Sequence, residues 1–112
     1  MRWYNQAVKR HGQAAIDKSV RFYVTPNGDH QSIGYSATTG IAQPCYMDLM
    51  GTLENWVENG VTPPDALTQT LEEATPPYKV LRSRPLCRYP KYPRYKGKGD
   101  PEKMESYTCA MP

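Results

Sequence analysis

Two histidines in this chain can exchange a proton near neutral pH, and His30 is the better placed of the two. It follows the apolar run Val20–Val24 (VRFYV) and the turn Pro26-Asn27-Gly28-Asp29. Loops at the carboxyl ends of strands carry the sites of α/β folds, so a histidine just past such a turn has the position of an acid–base residue. The same position suits an ordinary turn histidine. Hydrolysis would require a nucleophile that gives up its proton to His30 and a carboxylate that fixes the imidazole tautomer. GYSATTG (Gly34–Gly40) lacks the second glycine of a Gly-x-Ser-x-Gly elbow. Asp29 is adjacent, but neighbours in an extended loop point apart, and nothing in the pattern ties Asp17 or Asp48 to His30.

A second group of residues lies in the tail, RPLCRYPKYPRYKGKGDPEKMESYTCAMP. Arg82, Arg84, Arg88, Lys91, Arg94, Lys96 and Lys98 interleave with Tyr89, Tyr92 and Tyr95. Basic groups could neutralise phosphates while tyrosines stack on bases, which makes a small polyanion-binding protein the rival functional class. No recognised nucleic-acid module accompanies the tail, so a strap over residues 84–112, with its rings packed and its charges solvated, is the favoured reading. Cys87 and Cys109 bracket this segment. A disulfide between them would close a loop of about 20 residues and stabilise by roughly 3 kcal/mol; two buried thiols are the alternative. The third cysteine, Cys45, is left over, and the three spacings match no zinc pattern. No metal or other cofactor is expected.

These residues depend on a small set of elements. Trp3, Tyr4, Ala7, Val8 and His11 share a helical face ended by Gly12, and Val20–Val24 reads as a buried strand. Residues 25–45 carry no periodicity and read as a loop, long enough to be functional. Tyr46, Met47, Leu49, Met50, Leu53, Trp56 and Val57 recur at helical spacing up to Asn59-Gly60, with Met47, Met50 and Trp56 expected in the core. Thr68–Ala74 is a short strand or a loop, and Tyr78–Arg82 alternates like a strand. Prolines 85, 90 and 93 exclude a helix or a central strand beyond Arg84. One helix–strand–loop–helix unit cannot cover both faces of a parallel sheet, so the piece looks incomplete.

With 112 residues the chain would form one domain with a modest core. The formal charge of +3 is unevenly spread: no Lys or Arg lies between Phe22 and Tyr78, and nine of the 14 lie between Lys79 and Lys103. No stretch is apolar enough to span a bilayer. The start, MRWYNQAVKRHG, reads as an amphipathic helix and not as a signal peptide, which suggests that something normally precedes it.

In order, these segments resemble the C-terminal end of the tannase and feruloyl esterase family of secreted α/β-hydrolases. MRWYNQAVKRHG is similar to the helix after the family's catalytic-aspartate loop, and RFYVTPNGDH to the strand and turn that deliver its catalytic histidine. DLMGTLENWVENGVTPPDAL, RSRPLCRYPKYPRYKGKGD and SYTC are similar to its terminal helix, Arg-Pro-Leu-Cys segment and closing cysteine. The resemblance covers nearly the whole chain. It implies an α/β-hydrolase piece over residues 1–112 that runs helix, strand, catalytic-histidine loop, helix and extended disulfide-closed tail. His30 is the one catalytic residue it places here; the nucleophilic serine lies far upstream and the acid aspartate a few residues before the first helix. The implied parent is a secreted or periplasmic carboxylic ester hydrolase acting on phenolic-acid esters, with the remainder of the hydrolase domain as this segment's partner. Many members carry a cysteine immediately after the histidine, bonded beside the serine. Here that position is Gln31, leaving this tie absent or taken over by Cys45.

Overall fold

The computed structural model describes residues 1–26, 28 and 34–112; His30 and the residues beside it, with Asn27, lie outside the described set. Helix α1 (Arg2–His11) has no polar N-cap side chain, but Lys9, Arg10 and His11 in its last turn sit favourably at the negative end of the helix dipole. Gly12, at φ 83°, ends it by donating its N–H to the Val8 carbonyl at 2.8 Å. A left-handed φ of this kind favours glycine. The expected apolar face is only partly covered: Tyr4 is 3% exposed whereas Trp3, one position round the helix, is 67% exposed. A short helix, α2 (Gln13–Ile16), follows.

The run Val20–Val24 does not form the expected strand. It lies extended with one isolated antiparallel bridge, Tyr23 to Arg88, because the tail supplies only a single backbone partner there instead of a ladder. Phe22 instead uses its side chain, joining Tyr4 and Tyr89 in a cluster with ring centroids 4.9 to 5.8 Å apart. Such tilted and edge-on pairs suit the ring quadrupoles. The long loop contains a small hairpin, β1 (Gly34–Tyr35) with β2 (Ala42–Gln43).

Helix α3 (Leu49–Asn59) begins three residues later than the first apolar position in its pattern. Asp48 sets the start by accepting the Gly51 N–H at 2.8 Å, while the Tyr46 backbone bonds to Thr70. Gly60, at φ 67°, ends the helix in the left-handed conformation. Of the three residues expected in the core, Met47 and Trp56 are half-buried but Met50 is 77% exposed, and Leu49, Leu53 and Val57 beside it are exposed too. The helical periodicity identifies the helix, but the described residues cover its apolar face only in part, with Lys18 and Ser19 lying beside Leu53, Trp56 and Val57.

Strands β3 (Ala66–Glu72) and β4 (Val80–Cys87) form the longest ladder, antiparallel from Ala66–Cys87 to Leu71–Arg82, with an irregularity before Glu72–Val80. Strand β3 begins and ends two residues before the expected Thr68–Ala74, and β4 starts two residues after Tyr78 but runs five residues past Arg82. Pro85 sits inside β4 opposite Thr68, and Pro93 inside β5 (Tyr92–Tyr95) opposite Cys109 of β6 (Tyr107–Ala110). A missing N–H is tolerated because each described sheet has two strands, so every strand has a free edge. The tail is therefore more regular than an extended strap. Its Cys87 and Cys109 are disulfide-bonded, with Cα atoms 5.6 Å apart. Tyr4, Cys45, Leu86 and Cys87 are buried, as are Pro44, Pro63 and Pro85.

Candidate functional site

The structure positions both approaches to the His30 segment. On the far side, Gly34 opens β1 and bridges back to Gly28. On the near side, the Tyr89 N–H donates to the Phe22 carbonyl at 2.8 Å, and the Tyr23 hydroxyl donates to the Pro64 carbonyl. Burial pushes the Tyr23 phenol up, keeping it protonated as that donor.

Charged groups secure the same approach. The Arg88 guanidinium bridges Asp17 and Asp65, at 3.4 Å from the latter, while the Arg88 N–H donates to the Asp65 carbonyl at 2.8 Å. Arg21 lies 3.3 Å from Asp17 and Lys91 3.0 Å from Asp65. The hydrogen bond from Arg88 holds the Asp17 carboxyl below its ordinary value against the opposing effect of burial; for Asp65 the bond from Lys91 does so. Arg88 is raised in turn, chiefly by Asp17. A carboxyl depressed on folding stabilises the fold fully above its unfolded value near 3.8, and the contribution is lost as pH falls through the lower folded value. Unfolding midpoints should therefore hold from neutrality down to about pH 5 and drop below about pH 4. Asp17→Asn should flatten part of that drop; an unchanged acid limb in thermal melts would show that the pair contributes nothing.

Beside these approaches lies a cavity of about 240 Å³, lined by Val24 and Pro26 before the His30 segment and by Ser36 after it. Gln69, Arg84 and Tyr107 contribute polar groups. Gln69 is buried and donates to the Thr25 hydroxyl at 3.2 Å, and Arg84 lies 4.8 Å over the Tyr107 ring. Ser36 is engaged in its own turn: its Oγ meets the Thr38 hydroxyl at 3.1 Å and accepts the Thr39 N–H at 3.2 Å. Asp48 is occupied in capping α3. Both side chains are thus engaged in local turn and cap contacts.

The tail's cations are largely internal partners. Arg82 bonds Glu102 at 2.6 Å, Arg84 approaches the same carboxylate at 3.7 Å, Arg88 and Lys91 hold Asp17 and Asp65, and Lys96 donates to the Glu105 carbonyl. Charges committed to carboxylates are poorly disposed to neutralise phosphates, and polyanion binding by the tail finds no support. Tyr89 packs on Tyr4 and Phe22 and is half-buried, while Tyr95 pairs with Tyr107 at 5.6 Å between centroids and stays exposed, as does Tyr92. Asp17, Asp65 and Arg88 as a group escaped the sequence reading. Asp17 and Arg88 stand 71 residues apart, so no local spacing announces them. Cys45 is buried next to Pro44. Among the described residues, no helix is long and apolar enough to cross a membrane.

Comparison with known proteins matches this architecture. A probable feruloyl esterase of Arthroderma benhamiae is 36% identical over 109 residues, which is 96% of this chain and 19% of that protein. An uncharacterised esterase of Agrobacterium fabrum is 33% identical over 107 residues, 96% of this chain and 17% of its own length. The chain thus spans less than a fifth of either relative. The crystal structure of an esterase from Aspergillus oryzae superposes with a TM-score of 0.70 at 24% identity, over 96% of this chain and 23% of that one, which establishes a shared fold for the segment. The family model described as tannase and feruloyl esterase matches residues 1–110, and the chain belongs to that family.

Proposed function

We propose that this chain is the C-terminal segment of a serine-type carboxylic ester hydrolase with an α/β-hydrolase fold, and that His30 is its catalytic histidine. The observation that carries the reading is the family match across residues 1–110, which includes RFYVTPNGDH. His30 takes the proton of a serine outside residues 1–112 as that serine attacks the ester carbonyl. It then returns the proton to the departing alcohol, and the second half-reaction repeats the exchange with water. Esters of phenolic acids are the substrate class, in keeping with the name of the probable feruloyl esterase among the relatives. Residues 84–112 serve as a disulfide-closed strap within the one hydrolase domain, and the disulfide suits a secreted or periplasmic parent.

The uncovered face of α3 supports the same reading. Leu49, Met50, Leu53 and Val57 form an apolar stripe that water should not retain in an intact domain, and the remainder of the hydrolase covers it.

A general base without a nucleophile has no acyl-enzyme route, so the isolated 112-residue chain should not turn over a phenolic ester. Assay of the purified chain against such an ester tests this. Turnover abolished by His30→Ala in the isolated chain would overturn the placement of the serine elsewhere.

A further inference from the structure

Successive residues of an α-helix turn by about 100°, so Thr52 and Asn55 of α3 share a side, and both line a cavity with Val61, Pro63 and Thr68 of the same chain. The next strip round the helix carries Leu49, Leu53 and Val57, with Met50 at its border; Met50 is 77% and Val57 75% exposed. Lys18 and Ser19 line a groove of about 340 Å³ together with Leu53, Trp56 and Val57. Beyond Met50 and Val57 the helix surface turns acidic, with Glu54 and Glu58 exposed one turn apart. Neither carboxylate forms an ion pair among the described residues, and the sequence has no Lys or Arg between Phe22 and Tyr78 to supply one locally.

We infer that this strip is a docking surface for a segment of the same hydrolase outside residues 1–112, one that sets apolar side chains in the groove beside Trp56 and a Lys or Arg against Glu54 and Glu58. The inference rests on the reading of the chain as part of a longer hydrolase, and makes no use of His30. The aligned 96% of this chain amounts to 19% and 17% of the two relatives, so most of such a molecule lies outside this segment and is available to cover it. A continuous apolar strip with a half-buried tryptophan in its groove has the make-up of an interface anchor. The acidic margin then selects the charge of the cover, because a like charge placed there would oppose docking. An antiparallel pairing with α3 of a second copy would set Glu54 and Glu58 beside their own counterparts, which the same repulsion disfavours.

The experiment follows peroxide oxidation of Met50 in the intact hydrolase, by mass spectrometry of its peptide, against the same enzyme unfolded in urea. In the folded enzyme Met50 should oxidise at least about tenfold more slowly than in the unfolded one. The double variant Glu54→Lys, Glu58→Lys should restore about tenfold of that rate by repelling the cation of the cover. Glu72→Lys with Glu105→Lys makes the same change of charge away from α3 and should leave Met50 protected. If the first variant fails to fold by circular dichroism, Glu54→Gln with Glu58→Gln carries the test, with a rise of about threefold expected. Oxidation of wild-type Met50 within about twofold of the unfolded rate leaves the strip in water and overturns the docking surface. Protection that disappears on dilution makes a second copy the cover and overturns it too. Protection unchanged in the folded Glu54 and Glu58 variants removes the cation and overturns the inference as stated, and equal acceleration in the Glu72 and Glu105 control does so by assigning the effect to net charge. An active His30→Ala enzyme with Met50 protected would overturn the proposed base and leave the docking surface standing.

Discussion

Replacing His30 by alanine in the intact hydrolase should lower kcat for a phenolic ester by about 10⁴- to 10⁶-fold, with the folded state preserved. Without the imidazole, the serine must attack as a neutral hydroxyl and the alkoxide must leave unprotonated. Members of such a catalytic group act as a unit, so losing one forfeits most of their joint effect. The remaining rate reflects binding and any oxyanion-stabilising donors, which the substitution leaves in place. Steady-state kinetics on the purified variant, with circular dichroism to verify folding, measures the effect. A loss below tenfold would demote His30 to a turn residue.

The Cys87–Cys109 disulfide should account for the next largest effect. It closes a loop with a sequence separation of 22 between β4 and β6, in a tail whose buried apolar residues are few. Restricting the unfolded chain by a loop of that size stabilises by roughly 3 kcal/mol. The double variant Cys87→Ser, Cys109→Ser should lose about that much in denaturant unfolding. A non-reduced digest of the wild type should yield one peptide pair spanning the two cysteines. A pair joining either to Cys45, or an unchanged unfolding midpoint in the double variant, would remove the disulfide from the account of the strap.

What the sequence disclosed and what it withheld divide along the range of the interactions. The Asn59-Gly60 end of α3 and the Gly12 end of α1 were legible because each helix stops at a positive φ, left-handed at Gly60, that glycine alone takes without strain. The disulfide was legible because two cysteines bracketed a segment with little else to hold it. Val20–Val24 misled because β-branched and aromatic residues report a half-buried environment, which an extended segment with one bridge also provides. Pro85 and Pro93 within strands were not anticipated because a proline argues only against a strand paired on both sides, and these sheets leave one side free. The Met50 stripe was read as core because periodicity identifies which face wants burial without naming what buries it. The Asp17–Arg88–Asp65 cluster was out of reach, since its members meet only once the strap has folded back on the helix end.

The central claim is that His30 activates a serine located outside residues 1–112. Labelling the intact hydrolase with a fluorophosphonate, which reacts with an activated serine hydroxyl, and mapping the adduct by mass spectrometry tests it most directly. The account predicts one rapidly labelled serine outside residues 1–112, with labelling lost in His30→Ala. A label on Ser19, Ser32, Ser36, Ser83 or Ser106, or undiminished labelling in the His30 variant, would contradict it.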